Sequence, residues 1–101
     1  MIVVKTPKFQ LGQVVSTPDA LAELQKNGQS PWSLIARHAA LDFGDLSEED
    51  RQLNLDALFD GSRIFSAYIL KDGHTKLWVI TEAEDDQGHR EATTILTPDS
   101  Y

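Results

Sequence analysis

A β-hairpin signal in the second half of the chain constrains the fold more than any other feature of the sequence. Two stretches rich in β-branched and aromatic residues, 62–71 and 75–82, flank Asp72-Gly73, a pair favoured in two-residue hairpin turns. Such a turn sets the register, because Lys71 then faces His74 and every further pair follows. The register gives sensible cross-strand pairs: Phe65 with Ile80, Ala67 with Trp78, Tyr68 with Leu77, Ser66 with Val79, and Arg63 with Glu82 as an ion pair.

The same register places apolar side chains on both faces of the hairpin. One face carries Phe65, Ala67, Ile69, Trp78 and Ile80, and the other carries Ile64, Tyr68, Leu70, Leu77 and Val79. A sheet that is covered on one side only normally alternates apolar with polar residues. Helices can cover one of these faces, so we expect the other to be covered by the N-terminal segment, by another subunit or by a partner.

Three helix starts precede the hairpin. Thr17-Pro18 and Ser30-Pro31 each offer an N-cap residue followed by a proline at the first helical position, and Ser47 begins a capping-box-like segment that ends at Asp50. Asn27-Gly28 is a typical C-terminal stop for the first helix. The sequence therefore predicts three short helices.

Helical spacing also predicts which side of each helix is buried. Apolar residues in the second helix recur at intervals of three and four, which makes Trp32 a core anchor together with its periodic neighbours. In the third helix we expect a polar first turn in water and a buried C-terminal end. The residues predicted to be buried are Leu21 and Leu24 in the first helix, Trp32, Ile35, Ala36 and Ala39 in the second, and Leu55, Leu58 and Phe59 in the third.

The order of these elements predicts an α+β fold. Residues 92–96 are a third strand candidate after a polar loop from Glu84 to Glu91, and residues 1–5 and 11–16 are short extended candidates near the N-terminus. We therefore expect three short helices packed on a C-terminal antiparallel sheet, made of the hairpin plus a third strand, with a possible extra N-terminal strand. A length of 101 residues predicts a single domain, 1–101.

Charge and composition restrict the classes of partner. The net charge is −7, and the nine Lys and Arg residues are scattered, which argues against direct binding to nucleic acid and against adhesion to an anionic membrane. A basic protein surface is the partner that this charge favours. Cysteine is absent and no apolar run approaches the length of a membrane span, so we expect a soluble cytoplasmic protein.

Two clusters of carboxylates are the candidate binding residues. Seven carboxylates lie between Asp42 and Asp60 against one cation, Arg51, and a second group surrounds the loop before the last strand. They are either a surface that imitates a phosphate track or solvated segments that keep a small domain in solution. The residues predicted to bind a partner are Asp42, Asp45, Glu48, Glu49, Asp50, Glu84, Asp85 and Asp86.

The sequence contains no strong catalytic motif. His38, Asp42 and Asp45 allow a loose divalent-metal site to be imagined, but their spacing is more typical of a helix-flank histidine followed by an acidic turn. No serine or cysteine stands in a nucleophile motif, and no glycine fingerprint for phosphate is present. We therefore predict a protein that is not an enzyme, with no cofactor.

Several stretches together resemble a family of small proteins carried on phages, plasmids and other mobile elements, most of which have no assigned function. The resemblance runs through residues 11–18, 44–46, 49–50 with Asn54, 61–68, 76–83 and 93–98, and its most distinctive string is Trp78 to Ala83. Phe43 stands where the family pattern has tryptophan, and the loop 84–91 is longer than in that pattern. The resemblance implies an accessory role for a mobile element and supplies no catalytic residues.

Our leading hypothesis from the sequence is a non-enzymatic acidic interaction protein of a mobile element. Such a protein could inhibit a host defence protein or another nucleic-acid-binding protein by occupying its basic surface. The alternatives are a homodimeric structural or regulatory module that pairs through the sheet, and a small metal-binding domain.

Overall fold

The fold consists of three helices and a four-stranded sheet, in a computed structural model that describes residues 8–101. This arrangement confirms the predicted α+β class. In chain order the elements are β1 (Gln13–Ser16), α1 (Pro18–Lys26), α2 (Pro31–Ala39), α3 (Glu48–Asp60), β2 (Ile64–Ile69), β3 (Lys76–Thr81) and β4 (Ala92–Leu96), followed by a 3₁₀ turn at Pro98–Ser100.

The sheet has the strand order β1-β4-β3-β2. The hairpin pairs and the β3–β4 pair are antiparallel, whereas β1 lies parallel to β4 at the edge. The extended candidate at 11–16 is therefore an edge strand, and the candidate at 1–5 lies outside the described residues. A long connection through all three helices and the hairpin separates β1 from β4, and no local signal in the sequence predicts such a pairing.

The hairpin has the predicted register but a longer turn. Ala67 faces Trp78 and Tyr68 faces Leu77, as the sequence predicted, but the Leu70 N–H donates to the Thr75 carbonyl at 2.8 Å and the four residues between them form the loop. The predicted facing pair at 71 and 74 is wrong. The end of α1 is the reason, because Gln29 and Asn27 side chains accept from the Lys71 and Asp72 N–H groups, both at 2.9 Å.

The three predicted helix starts are confirmed by their capping bonds. Thr17, Ser30 and Ser47 each accept a hydrogen bond from a backbone N–H of the first helical turn, at 3.1–3.2 Å. The helices pack on one face of the sheet, where Tyr68, Leu77 and Val79 meet Leu24 and Ile35 in the main core. A smaller cluster around Phe43, Ala57 and Ile64 lies beneath α3.

One predicted core residue in each of α1 and α2 is partly exposed. In α2 Ile35 and Ala39 are buried as predicted, together with Leu34 and His38, whereas Trp32, which lies beside β1, is 49% exposed. In α1 Leu24 is buried, but Leu21 is 38% exposed.

The larger error concerns α3, in which Phe59 is 91% exposed and Leu55 is 37% exposed. Asn54 and Ala57 face the protein instead. The helix is held in this rotation by Asn54, whose side-chain amide donates to the Phe65 carbonyl at 2.6 Å and accepts from the Phe65 N–H at 3.0 Å. A polar residue therefore sets the buried side of α3, and apolar spacing does not reveal it.

The face of the hairpin that points away from the helices is partly covered by an element that the sequence did not predict. The 3₁₀ turn brings Tyr101 over this face, where its ring lies 5.7 Å from that of Trp78. Arg63 donates to the Tyr101 hydroxyl and lies over its ring, so the predicted Arg63–Glu82 ion pair is replaced by this contact. We call this side, which carries Phe65, Trp78, Ile80 and Leu96, the outer face.

The loop between β3 and β4 is fixed by a buried arginine. Arg90 is only 5% exposed, and its guanidinium donates to the carbonyls of Ser62, Glu82 and Ala57 at 2.7, 2.9 and 3.0 Å. The Ala57 carbonyl lies in the last turn of α3, where the helix dipole favours a cation. Arg90 thus joins the loop to the C-terminal end of α3.

Replacing Arg90 with methionine keeps the apolar stem and removes all three bonds. We expect Arg90→Met to lower the free energy of unfolding by about 2–3 kcal/mol, because bonds from a charged donor are worth more than neutral ones and three carbonyls lose their partner. Urea unfolding measures the change. Lys71→Met is the matched control at an exposed cation, and an equal loss in both variants would contradict the proposed role of Arg90.

Candidate protein-interaction surface

Two groups of the predicted binding residues, distant in sequence, lie at the two ends of α3. Glu48, Glu49 and Asp50 form its first turn, where carboxylates stabilise the positive end of the helix dipole. The loop that carries Glu84 lies at the other end, because the Glu84 N–H donates to the Gly61 carbonyl at 2.8 Å. A helix of 13 residues separates them by about 18 Å.

Further carboxylates on the solvent side of α3 connect the two ends. With Asn54 and Ala57 facing the protein, positions 49, 52, 56 and 60 project away from it, and all four side chains are exposed. Glu49, Asp56 and Asp60 thus form a line of negative charge. Phe59 lies in the same solvent-facing region with 91% of its surface exposed. We call Glu49, Asp56, Phe59 and Asp60 the acidic face of α3.

Three of the predicted binding residues have close intramolecular partners, at 2.7–3.3 Å. Asp42 forms a two-point ion pair with Arg37, at 2.7 and 3.3 Å, and the hydrogen bond from Arg37 holds the pKa of Asp42 below its usual value. Asp45 pairs with Lys76 at 3.3 Å. Asp85 accepts from the N–H groups of Gln87 and His89, both at 2.9 Å, and these bonds lower its pKa. These carboxylates organise their own loops.

The other predicted residues project into solvent from the ends of α3. Glu48 approaches Arg51 at 3.8 Å while 92% of its side chain stays exposed, and Glu49, Asp50, Glu84 and Asp86 are also exposed. The sequence prediction for these five positions stays a prediction. The structure adds Asp56, Phe59 and Asp60, which the analysis of the sequence did not select. Phe59 in particular was assigned to the core, and only the rotation of α3 set by Asn54 reveals it as a surface residue.

His38 does not join Asp42 and Asp45 in a metal site. It is fully buried beneath the sheet, and within residues 8–101 no group of three or more His, Cys, Asp or Glu side chains is placed to hold a metal ion. Both ring nitrogens are hydrogen-bonded to hydroxyls: Nδ1 lies 2.6 Å from Ser66 Oγ and Nε2 lies 2.8 Å from Thr81 Oγ1.

The hydrogen bonds of His38 belong to a chain with a defined direction. The Thr93 hydroxyl donates to the Leu11 carbonyl at 2.7 Å, so it accepts from Thr81, whose Oγ1 lies 2.7 Å away. Thr81 must then accept from His38 Nε2–H. Burial lowers the pKa of His38 to about 3, so the ring is neutral near pH 7 and Nδ1 accepts from the Ser66 hydroxyl. Ser66 and His38 are both inaccessible, so this pair does not act as a nucleophile on an outside substrate.

Comparison with family models, with curated proteins and with solved structures finds no match to this chain. Within residues 8–101 no helix has both the length and the apolar character needed to cross a membrane. The surface geometry of the chain is therefore the basis for a functional proposal.

Proposed function

We propose that this chain is a non-enzymatic interaction protein that binds the basic surface of a partner protein. The observation that carries the proposal is the acidic face of α3, in which a phenylalanine with 91% of its surface exposed lies on the same solvent-facing side as Glu49, Asp56 and Asp60. An exposed aromatic ring beside negative charge is typical of an interface, where the ring supplies buried area and the carboxylates supply steering and specificity.

The biological setting of the proposal rests on the resemblance to mobile-element proteins. An acidic surface about 18 Å long, running from the first turn of α3 to the loop at Glu84, resembles in charge a short stretch of nucleic-acid backbone. A protein that binds nucleic acid through Lys and Arg would offer the complementary surface. We therefore propose that the partner is a host defence protein or another nucleic-acid-binding protein, and that this chain inhibits it by occupying that surface.

Phe59 gives the most specific test of the acidic face. We expect Phe59→Ser to leave the melting temperature unchanged within about 2 °C, because the ring makes little contact with the rest of the protein. The same variant should weaken capture of the partner from a host lysate at least tenfold, since an aromatic residue that becomes buried on binding carries much of the energy of an interface. Leu21→Ser, at an exposed apolar residue on α1, is the matched control.

Charge is tested with two double variants of equal net charge. Glu49→Gln with Asp56→Asn changes the acidic face, and Asp19→Asn with Asp99→Asn removes the same number of carboxylates elsewhere. Retention of the partner by the parent protein should fall as the salt concentration rises. At a fixed salt concentration, the first double variant should retain less partner than the second. Capture that is independent of salt, or equal losses in both variants, would contradict the proposal.

A further inference from the structure

The outer face of the sheet contains a groove next to the first turns of α3. Its floor is formed by Phe65, Trp78 and Ile80, and its sides by α3 and by the C-terminal turn. The volume is about 350 Å³, which is enough for one long side chain of a partner. The side residues are Asp50, Leu53, Asn54, Arg63 and Tyr101.

Three aromatic rings surround this groove in edge-to-face contacts. The centroids of Phe65 and Trp78 are 5.1 Å apart with an interplanar angle of 86°, and those of Trp78 and Tyr101 are 5.7 Å apart with an angle of 72°. The face of Tyr101 already carries a guanidinium, since Arg63 lies over the ring at 5.5 Å. Arg63 and Tyr101 also line a neighbouring groove beside Leu96 and thus form the wall between the two.

Asp50 supplies negative charge at the side of the groove formed by α3. Its side chain is exposed, and within residues 8–101 no cation lies within ion-pair distance of its carboxylate. Asp50, Glu48 and Glu49 together outweigh the positive end of the helix dipole, which amounts to roughly half an elementary charge. This side of the groove therefore attracts a cation, whereas Arg63 on the opposite side repels one.

We propose that the groove receives one arginine side chain of the basic partner, a step that rests on the proposed function. The stem of the arginine lies across Trp78 and Phe65, and its guanidinium pairs with Asp50. Arginine fits better than lysine, because a planar and weakly hydrated guanidinium stacks on aromatic rings and forms two bonds with a carboxylate. A buried arginine anchor surrounded by aromatic side chains is the usual composition of an interface hot spot.

Acetyl-arginine amide is a probe for this site, with acetyl-citrulline amide as an uncharged analogue of the same shape. In a Trp32→Phe background Trp78 is the remaining tryptophan, so fluorescence reports on the floor of the groove. We expect a saturable change with the arginine probe, at least fivefold weaker affinity in Asp50→Asn, and an affinity within twofold of the parent in Asp19→Asn, the same change at an exposed first-turn carboxylate of α1 that does not line the groove. Circular dichroism confirms that each variant is folded, and Asp50 is suited to this test because, among residues 8–101, only its backbone N–H and not its carboxylate forms a hydrogen bond at this turn.

Three results with the probe would overturn the inference: no saturable change with acetyl-arginine amide, an equal response to acetyl-citrulline amide, or equal weakening by Asp50→Asn and Asp19→Asn. Sedimentation velocity at low and high concentration tests for a second copy of the chain on the outer face, and a dimer that excludes the probe would also overturn it. The proposed function has a separate readout. If the arginine probe does not bind but Phe59→Ser still weakens partner capture, the proposed function stands. The groove is then not the site that receives an arginine.

Discussion

Lowering the pH from 6.5 to 4 will destabilise the protein by about 3 kcal/mol through His38 alone. The histidine has a folded-state pKa of about 3 because it is buried, and it regains a pKa near 6.5 when the chain unfolds. The unfolded state thus binds one more proton than the folded state throughout this window. Stability is complete above pH 6.5 and falls by roughly 1.4 kcal/mol for each pH unit below it.

The window separates His38 from the carboxylates. Asp42, Asp60, Asp72 and Asp85 also have pKa values lowered by their hydrogen bonds, but their effect on stability begins only near and below pH 4, where an unfolded aspartate takes up its proton. Urea unfolding at pH 7.5, 6.5, 5.5 and 4.5 therefore measures the histidine. A stability of 5–15 kcal/mol is typical of domains, so the loss is a large fraction of the total.

His38→Gln removes the titration while retaining an amide that can donate to one hydroxyl and accept from another. We expect this variant to be less stable than the parent at pH 7.5 and to lose the slope between pH 6.5 and 4.5. The double variant His74→Gln with His89→Gln changes two exposed histidines and should keep the slope. A slope that persists in His38→Gln, or one that disappears in the double variant, would show that the buried histidine is not its source.

The buried hydrogen-bond chain shows how far a sequence can predict such a core. His38 follows Leu34 and Ile35 at helical spacing, and the hairpin register places Ser66 and Thr81 on one face of the sheet. These signals were available, but the direction of the chain depends on Thr93 and on the Leu11 carbonyl. Both of these groups reach the site through the pairing of β4 with β3 and the course of the chain before β1, which are long-range contacts.

The hairpin and α3 show the same division between local and long-range information. The register of β2 and β3 was predictable because Asp72-Gly73 marks a tight turn between two neighbouring segments, and such a turn restricts their pairing strongly. The rotation of α3 was not, because Asn54 bonds to the Phe65 backbone and thereby turns Phe59 outward. The candidate interaction surface depends on that rotation. The acidic residues at its ends were identified from the sequence, whereas its exposed aromatic residue, Phe59, required the structure.

Gly44→Ala will destabilise the protein by about 3–5 kcal/mol, the other large effect that we expect. Gly44 has φ +75°, and an added Cβ would lie 2.1 Å from the Ala67 carbonyl oxygen and 2.6 Å from the Tyr68 ring. The first contact is with backbone that is already bonded, since the Ala67 N–H donates to the Phe43 carbonyl at 3.1 Å and its own carbonyl accepts from the Asp45 N–H at 2.7 Å. Neither contact can be relieved without separating this segment from β2.

Gly28→Ala is the matched control, because it tests positive φ without crowding. Gly28 has φ +63°, and an added Cβ would meet no atom within 4 Å, so we expect a loss of about 1 kcal/mol from backbone strain alone. The difference between the two variants, measured by urea unfolding, is the cost of displacing the segment at Phe43 to Asp45 from the edge of the sheet. Exposed edge strands invite pairing with other chains, so Gly44→Ala should also aggregate at lower protein concentration than Gly28→Ala. If Gly44→Ala and Gly28→Ala were equally stable, residues 43–45 would not cover the β2 edge of the sheet in solution.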